Sequence, residues 1–591
     1  MFQTFEETAR PEQGPPRLAA LRGALVAEGL DGFVVPRADA HQGEYVAPCD
    51  DRLAWLTGFT GSAGYCVALR DRAGVFVDGR YRVQVRAQLA DVFTPVDWPE
   101  VGLAEWINDA LPDGGRVGFD PWLHPVEQLR SLRGALKGVE LVPVANLVDR
   151  IWEDRPPPPL GPVAVHPLEL AGEPHGDKIA RLAAALQADA AVITLPDSIA
   201  WLLNIRGSDI PRNPVPQGFA LLHGGGTVTL FMAAEKLREI GDHLGPNVTL
   251  AAPGEFAGAL AALSGTVQID PATCPAAVAD ALTQAEVVEA PDPCLLPKAR
   301  KNAAELGGTR AAHLRDAAAM VRFLAWLDAQ PADTLTEIDV VKRLEAERRK
   351  SNALRDISFD TISGAGPNGA IVHYRVTEAT NRPVKDGELL LVDSGGQYVD
   401  GTTDITRTVA IGAPGDEERA NFTRVLKGMI ALSRLRFPPG LAGRDIDPLA
   451  RVALWEAGLD YGHGTGHGVG AYLSVHEGPQ RIARTGLVPL EPGMILSNEP
   501  GFYREGAYGI RIENLIAVEE APALPGQTVA RMLRFETLTF VPIDRRLIVA
   551  ELLTGAERDW LNAYHTEVVA KIAPLVEGPA RDWLLQACRV I

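Results

Sequence analysis

Five residues in the last third of the chain have the types that bind a pair of metal ions. They are four carboxylates and one imidazole: Asp393, Asp404, His467, Glu499 and Glu513. Carboxylates crowded into a partly buried cleft raise one another's pKa, and they cost roughly several kcal/mol unless cations neutralise them. Two divalent ions, bridged by two of the carboxylates, would neutralise this set. The residues therefore predict a two-metal hydrolytic centre.

The predicted elements would place these residues at the ends of strands. In ELLLVDSGGQYVDGTTDITRTVAI an apolar run ends on Asp393 and a β-branched run begins at Asp404, which predicts a strand, a Gly-rich loop and a returning strand. Glu499 ends the apolar run MILSNE, and Glu513 lies inside the alternating GIRIENLIAV. The glycines around His467 suit backbone that must approach a ligand closely. Each acid alone also fits a turn, a cap or a solvated position, and their combination favours the metal centre.

Four motifs in this order resemble the metal-binding motifs of the pita-bread metallopeptidases, which include methionine aminopeptidase, prolidase and aminopeptidase P. They are DSGGQYVDGTTDITRT, HGTGHGVG, SNEPG and GIRIEN. With EYVAPCDDRLAWLTGFTGSAG and VDGRY near the start, the chain most closely resembles the long, three-domain form of aminopeptidase P. The resemblance is specific because order, spacing and ligand type agree. It implies an enzyme that hydrolyses the N-terminal Xaa-Pro bond of peptides with proline at the second position.

The resemblance also implies a role for each ligand. Asp393 would chelate one metal, Asp404 and Glu513 would bridge the pair, and His467 and Glu499 would complete the second site. Water shared by two cations has its pKa lowered towards neutrality, and Glu499 is the candidate to take its proton. A carboxylate-rich set with one imidazole favours Mn²⁺, with Zn²⁺ or Co²⁺ as alternatives.

Three further histidines are candidates for catalysis. His373 in AIVHYR and His476 in SVHEGP match the family's substrate-contacting histidines, which can donate to a peptide carbonyl or to the developing oxyanion. His463 lies four residues before His467, so the two would share a face if that segment were helical. The alternative for all three is an ordinary loop histidine.

Two residue sets are expected to support the site. Tyr503 and Arg511 resemble a pair that orients a metal-binding carboxylate through hydrogen bonds, and Arg511 would share a strand face with Glu513. Arg52, in CDDRLAW, resembles an arginine that reaches the substrate from the first domain of a neighbouring subunit. The resemblance therefore implies a homodimer, whereas a solvated loop arginine is the alternative for Arg52.

The length and an internal repeat predict several domains, because 591 residues are too many for one core. PRLAALRGALVAEGLDGFVVPRAD followed by WLTGFTG is echoed by DKIARLAAALQADAAVITLPD followed by WLLNIRG. A proline-rich joint at 154–162 separates the first copy from the second, and another at 290–300 separates the second copy from the metal-site region. We expect two repeated creatinase-type α/β domains, 1–155 and 163–292, and an α+β pita-bread domain with a C-terminal extension, 298–591.

The helices that open the third domain have clear local signals. Ala317, Met320, Val321, Leu324 and Leu327 fall on one face of a predicted helix. Thr336 and Asp339 are predicted to form a capping pair at the start of a second helix. Helices around strands that carry ligands fit the pita-bread architecture.

Composition excludes several classes of partner. The net charge of −19 argues against nucleic acid and anionic membrane surfaces, since both attract basic patches. No segment approaches the roughly 18 apolar residues of a membrane helix, and MFQTFEETARPEQGPPR lacks the pattern of a signal peptide. The five scattered cysteines, odd in number and without CxxC spacing, favour reduced thiols in the cytoplasm.

Three alternatives stand beside the aminopeptidase. A prolidase shares the site but typically carries one N-terminal domain, whereas this chain has two. A creatinase-like hydrolase keeps the fold without the metal ligands, and all five are present here. A non-catalytic binding scaffold would not need the intact ligands and histidines.

Overall fold

The computed structural model describes residues 1–591, and their contacts divide the chain into two compact units. The N-terminal unit contains residues 8–298, and the C-terminal unit contains residues 299–591 together with Met1–Glu7. The first seven residues thus pack with the C-terminal unit, although the sequence placed them in the first α/β domain. No helix is long and apolar enough to span a membrane.

The first half of the N-terminal unit is a six-stranded sheet with helices between its strands. Its strands, in the sheet order β4-β3-β2-β1-β5-β6, are β1 (Gly32–Pro36), β2 (Tyr65–Leu69), β3 (Ala73–Val77), β4 (Thr94–Asp97), β5 (Gly115–Phe119) and β6 (Val139–Pro143). The helices are α1 (Gly14–Ala27), α2 (Arg52–Thr57), α3 (Arg82–Gln88), α4 (Leu103–Ala110), α5 (Val126–Ala135) and α6 (Leu147–Ile151).

The second half of this unit repeats the arrangement. Its strands are β7 (Ala164–Val165), β8 (Ala190–Ile193), β9 (Ile205–Arg206), β10 (Phe219–His223), β11 (Thr227–Phe231), β12 (Val248–Ala251), β13 (Gly265–Ile269) and β14 (Ala285–Glu289). Its helices are α7 (Leu168–Ala171), α8 (His175–Ala185), α9 (Pro196–Leu202), α10 (Phe256–Ala262), α11 (Ala276–Ala281) and α12 (Leu295–Ala299). The second sheet has the order β12-β11-β10-β8-β13-β14, which matches the first strand for strand.

The strand pairings confirm that the two halves are copies of one unit. In each six-stranded sheet the first strand along the chain pairs antiparallel with the second and parallel with the fifth (β1 with β2 and β5; β8 with β10 and β13). Residues 154–162 form neither helix nor strand, because consecutive prolines remove backbone donors. The second proline-rich joint contains the short helix α12.

The C-terminal unit combines long helices with short strands. The helices are α13 (Ala303–Asp328), α14 (Glu337–Arg349), α15 (Asp416–Ser433), α16 (Gly443–Trp455), α17 (Gly555–Ile572) and α18 (Gly578–Ala587). The strands are β15 (Leu354–Ile357), β16 (Ile362–Ala365), β17 (Leu389–Ser394), β18 (Gly396–Tyr398), β19 (Gly401–Thr402), β20 (Ile405–Ala410), β21 (Arg436–Phe437), β22 (Gly466–Gly468), β23 (Glu477–Ile482), β24 (Ile495–Asn498), β25 (Gly501–Arg504), β26 (Tyr508–Arg511), β27 (Asn514–Glu520) and β28 (Leu533–Thr537).

Two sheets of this unit carry the candidate site. One has the order β16-β17-β20, and the other has the order β21-β28-β27-β24-β22-β23. All residues of β17 and β20 are buried, which explains why both read as apolar or β-branched runs. The five residues predicted to share a face of α13 are all buried in the main core. Thr336 and Asp339 form the predicted capping box of α14.

Candidate metal centre

Asp393 and Asp404 lie at the same end of one strand pair. Strand β17 ends one residue after Asp393, and its antiparallel partner β20 begins one residue after Asp404. The register places Asp393 opposite Thr406. The Gly-rich connection forms its own small hairpin of β18 and β19. Both acids are buried, with Asp393 7% and Asp404 4% exposed, so the strand pair brings two carboxylates into the interior.

His467 lies on a short strand in which both neighbouring positions must be glycine. It is the middle residue of β22, which pairs with β23 and β24. A Cβ atom at Gly466 would lie 2.0 Å from the Ser497 carbonyl oxygen, and one at Gly468 would lie 2.1 Å from the Glu477 carbonyl oxygen. The neighbouring backbones therefore exclude side chains on both sides of His467. His463 and His467 do not share a helix face, because this segment is a loop followed by a strand.

The last two ligand candidates follow strand ends. Glu499 comes directly after β24, and its N–H donates to the Thr465 carbonyl at 2.8 Å. Glu513 lies between β26 and β27, so the single alternating strand predicted over GIRIENLIAV is wrong. Strand β26 pairs with β25 in a two-stranded sheet, whereas β27 belongs to the six-stranded sheet, so Glu513 lies where the chain passes from one sheet to the other. Arg511 and Glu513 nevertheless converge on the same site, as the contacts of both show.

The candidate ligands meet within hydrogen-bonding and ion-pairing distances. Ligand atoms of Asp404, His467 and Glu513 all lie within 4.8 Å of one another. His467 Nε2 is 3.4 Å from Asp404 Oδ2 and 3.7 Å from Glu499 Oε1. The Arg511 guanidinium joins the other two acids, because it is 2.6 Å from Asp393 Oδ2 and 4.0 Å from Glu499 Oε2. All five predicted ligands thus belong to one cluster.

The electrostatics of this cluster call for added cations. Burial, with the charges of Asp404 and Glu499, raises the pKa of Glu513 well above its usual range. Burial also raises the pKa of Asp393, although Arg511 opposes the shift. Burial lowers the pKa of His467, but its hydrogen bond with Asp404 and the charge of Glu499 outweigh that effect and raise the pKa to about 9. The ionised carboxylates are therefore unfavourable without further positive charge.

Three carboxylate oxygens supply a direct test of the fit to metal ions. Asp393 Oδ1, Asp404 Oδ1 and Glu513 Oε1 are buried and have no hydrogen-bond partner in the protein. Buried polar atoms are almost always partnered, so three orphaned oxygens in one cluster indicate atoms that bind something other than protein. With all four carboxylates ionised and His467 neutral, the forms in which these groups bind metal, the cluster and the Arg511 guanidinium have a formal charge of −3, which suits divalent cations. Oxygen ligands with one imidazole and no thiolate suit hard or borderline ions.

A relay of hydrogen bonds holds one carboxylate oxygen of Asp393. Arg511 donates to Asp393 Oδ2 at 2.6 Å and to the Tyr503 hydroxyl at 2.6 Å. The same hydroxyl lies 2.9 Å from His463 Nε2, so the relay runs from His463 through Tyr503 and Arg511 to Asp393. Because Arg511 is only 1% exposed, its guanidinium is fixed in orientation. The relay can orient Asp393 and set the tautomer of His463.

The remaining predicted residues occupy different surroundings. The His476 ring lies 4.2 Å from the His467 ring at 74°, so His476 borders the ligand cluster. His373 lies in a loop, and the carbonyl of its neighbour Val372 accepts from Arg511 at 3.3 Å. Arg52 lies at the start of α2 in the N-terminal unit, where it is 4% exposed.

The Arg52 guanidinium is engaged by two carboxylates of its own unit. It donates to Asp149 at 2.6 and 3.0 Å and to Asp50 at 2.9 Å. Arg52 is therefore buried and ion-paired rather than a solvated loop arginine. Its contact with substrate stays a prediction.

Sequence reasoning missed Arg407, which is 2% exposed and contacts the backbone of a ligand. Its guanidinium donates to the carbonyls of Glu513, Pro542 and Val541 at 2.6, 3.1 and 2.8 Å. It also donates to the Tyr564 hydroxyl of α17 at 3.0 Å, so it ties the C-terminal extension to the metal strands. The available signal was a charged residue between two threonines on an otherwise buried strand. Burial lowers the pKa of Arg407.

Comparison with curated proteins places the chain among known peptidases. It is 41% identical to aminopeptidase P2 of Arabidopsis thaliana, over 94% of this chain and 85% of that protein. It is 40% identical to the probable Xaa-Pro aminopeptidase P of Aspergillus flavus, over 96% of this chain and 91% of that protein. The chain belongs to the aminopeptidase P group of metallopeptidase family M24. The family model, metallopeptidase family M24, matches residues 307–520.

The flanking models and a solved structure agree with this assignment. Two models of the creatinase/prolidase N-terminal domain match residues 17–151 and 154–305, and the C-terminal region of peptidase M24 matches 531–591. The X-prolyl aminopeptidase of Caenorhabditis elegans, a cytosolic enzyme with a di-nuclear active site, superposes with a TM-score of 0.92. The two are 36% identical over 98% of this chain and 100% of that chain. The predicted fold class is confirmed.

Proposed function

We propose that this chain is a metal-dependent aminopeptidase that hydrolyses the bond between an N-terminal residue and a following proline. The observation that carries the proposal is the cluster of four acids and one histidine with three orphaned buried oxygens. The relatives named aminopeptidase P2 and probable Xaa-Pro aminopeptidase P support the substrate class. The di-nuclear site of the C. elegans enzyme supports a pair of metal ions.

The metal ions would be held by Asp393, Asp404, His467, Glu499 and Glu513. When bound, two divalent ions lower the pKa of water and polarise the scissile carbonyl. We assign Mn²⁺ as the preferred metal, because the donors are mostly carboxylates. Removing metal with a chelator should abolish activity, two ions per chain should restore it, and Mn²⁺ should restore it best. Full activity with one ion per chain or none would contradict the assignment.

The protein's own residues would then manage protons and position the substrate. Glu499, one of whose oxygens accepts from Ser497 at 3.4 Å, would take the proton that the attacking water loses. His476, beside His467, and His373 would donate to the scissile carbonyl and stabilise the oxyanion. His463 would act through the Tyr503 hydroxyl. These roles follow from the resemblance and from the placement of each side chain.

Proline explains why a dedicated site is needed. An Xaa-Pro bond has no amide hydrogen, and the ring restricts the residue before it. Peptidases that bind extended backbone therefore lose a hydrogen bond and meet a steric clash. A site that grips the peptide through metal ions and imidazoles does not depend on that hydrogen.

A prolidase is the second candidate, because the same ligands serve a dipeptidase. Comparing turnover of an Xaa-Pro-Xaa tripeptide with that of an Xaa-Pro dipeptide separates the two. We expect rapid release of the first residue from the tripeptide and little hydrolysis of the dipeptide. The reverse order of rates would assign the chain to the prolidases.

We also propose a homodimer in which Arg52 approaches the substrate of the neighbouring subunit. Leu449, Val452 and Trp455 are 39, 43 and 42% exposed at spacings of three residues on α16, which supports an interface on this helix. Light scattering should give twice the chain mass of 63.3 kDa, and Val452→Asp should lower it to one chain. An unchanged mass for this variant would remove α16 from the interface.

We assign the enzyme to the cytoplasm. All five cysteines are free and buried, which suits a reducing compartment. The description of the C. elegans enzyme as cytosolic points the same way. We keep 1–155, 163–292 and 298–591 as the proposed domains, apart from the first seven residues.

A further inference from the structure

The first residues of the chain form an ordered segment on the C-terminal unit, about 290 residues before the rest of that unit begins. We call residues 2–7 the N-terminal strap. The Phe2 N–H donates to both carboxylate oxygens of Glu345 at 3.0 Å. Gln3 is 2% exposed, and its side-chain amide exchanges two hydrogen bonds with the backbone of Thr361, at 2.8 and 3.3 Å. These buried, specific contacts show that the strap belongs to the fold of this unit.

The strap contacts the loop that carries His373. We call residues 371–378 the His373 loop. Arg375 donates to the carbonyls of Thr4 and Glu6 at 2.9 and 3.0 Å. The Glu378 N–H donates to the Phe5 carbonyl at 2.8 Å. The Thr377 hydroxyl also donates to the Glu7 carboxylate at 3.2 Å. The strap therefore binds the loop from two residues beyond His373 to its end.

The His373 loop depends on such contacts because it contains no helix or strand. On the side before His373, its anchor is the Val372 carbonyl, which accepts from Arg511. Directly after His373, the Tyr374 hydroxyl donates to Glu337 at 2.9 Å. A loop without ladder hydrogen bonds takes its rigidity from side-chain contacts of this kind. The strap supplies much of the anchoring on the far side of His373.

The strap is in turn fixed to the sheet that carries a metal ligand. The Phe5 ring packs against a buried cluster that includes Ile362, Val376 and Leu391. Ile362 is the first residue of β16 and lies opposite Asp393 in the register with β17. Gln3 binds the residue just before Ile362. The strap thus joins the His373 loop to the edge of the strand pair that bears Asp393.

We propose that the N-terminal strap is a positioning element of the active site, which holds the His373 loop so that the imidazole stays aligned with the metal centre. The proposal rests on the role proposed for His373. Phe5 and Gln3 are the positioning residues, and both act through the loop rather than by touching substrate. A displacement of about 1 Å in a catalytic group can cost about a hundredfold in rate. A packing residue such as Phe5 can therefore affect kcat by positioning the His373 loop, although it does not touch the substrate.

The test compares Phe5→Ala and Phe5→Leu with the control Glu6→Gln in the full-length, metal-loaded enzyme. Glu6 lies in the same strap, but its side chain is exposed and only its backbone carbonyl binds Arg375. We expect Phe5→Ala to lower kcat on an Xaa-Pro-Xaa tripeptide about tenfold without loss of metal. Phe5→Leu should recover most of this loss, and Glu6→Gln should match the wild type. A kcat for Phe5→Ala equal to that of the wild type would overturn the proposal.

Hydrogen exchange provides a second measurement on the same proteins. Amides of the His373 loop should exchange faster in Phe5→Ala than in the wild type, while those of β17 and β20 keep their protection. Unchanged exchange in the loop would overturn the proposal. If Phe5→Ala does not fold, kcat and loop exchange are measured on Gln3→Ala and Phe5→Leu instead. In these variants we expect smaller changes, with a lower kcat accompanied by faster exchange in the His373 loop.

A double-mutant cycle separates positioning from general stability. If the strap acts through His373, Phe5→Ala should have little further effect on kcat once His373 is already alanine. An equal loss of kcat in both backgrounds would show that the strap acts elsewhere and would overturn the proposal. His373→Ala by itself tests the role of that histidine, so failure of the proposed function is read from a different variant than failure of the strap.

Discussion

The substitution Glu513→Gln should change the stability of the protein in opposite directions with and without metal. Glu513 is 1% exposed, and its Oε2 accepts from the Thr406 hydroxyl at 2.9 Å while Oε1 has no partner. Glutamine keeps the shape and can still accept from Thr406 through its carbonyl oxygen. The substitution therefore removes little except a negative charge that burial and three neighbouring acids disfavour.

The expected magnitudes follow from that charge. Without metal, the variant should be as stable as the wild type or more stable, because the raised pKa of Glu513 shows that its ionised form is unfavourable there. With metal at a hundred times its dissociation constant, the wild type gains about 2.7 kcal/mol of unfolding free energy, and the variant should lose most of this gain. The variant should also have a kcat below about one tenth of the wild-type value, which corresponds to a loss of at least ~1.4 kcal/mol in transition-state stabilisation.

Thermal unfolding of both proteins, with chelator and with Mn²⁺, measures the stabilities, and tripeptide hydrolysis measures kcat. Glu520→Gln is the matched control, because it removes the same charge from an exposed position at the end of β27. It should leave the metal-induced rise in Tm and kcat unchanged. Glu513→Gln with a wild-type response to metal, or with more than a tenth of wild-type kcat, would refute the bridging role.

Three further predictions concern other parts of the C-terminal unit. His373→Ala and His476→Ala should each keep their metal and lower kcat about a hundredfold or more, since a lost preorganised donor costs on the order of 3 kcal/mol; a destabilised but fully active variant would exclude a catalytic role. Arg407→Met should lower Tm and weaken metal binding, because each buried carbonyl left unpaired costs about 1–3 kcal/mol; wild-type metal affinity would contradict its link to Glu513. Burial lowers the pKa of His565 to about 3 in the folded protein, whereas the same group in the unfolded chain has a pKa of about 6.5. Between these two values the unfolded chain binds the proton more readily, so the stability present above about pH 6.5 is lost as pH falls towards 3. His565→Gln should reduce the slope of unfolding free energy against pH between about 6 and 4 by up to one proton, or ~1.4 kcal/mol per pH unit, and an unchanged slope would contradict this account.

Local sequence was sufficient to identify the candidate ligands and the repeated domains. Asp393 and Glu499 each end an apolar run. These runs become the buried strands β17 and β24, so Asp393 is the next-to-last residue of β17 and Glu499 directly follows β24. Helix α13 and the capping box of α14 could also be predicted from the sequence, because helical periodicity and capping involve residues only a few positions apart. The two α/β copies could be found because each repeats a helix, a strand and a Trp-Leu segment in the same order.

Long-range contacts decided what the sequence could not. Gln3 and Thr361 form a buried pair although 358 residues separate them, and nothing in MFQTFEE indicates a partner in the C-terminal unit. Arg407 finds its carbonyl acceptors on Glu513 and on residues 541 and 542, which only the packing of the C-terminal extension brings together. Local periodicity specifies where strands begin and end, whereas the register between strands and the packing of distant segments depend on the whole fold. The candidate ligands could therefore be identified from the sequence, whereas the residues that hold them in place could be found only from the tertiary structure.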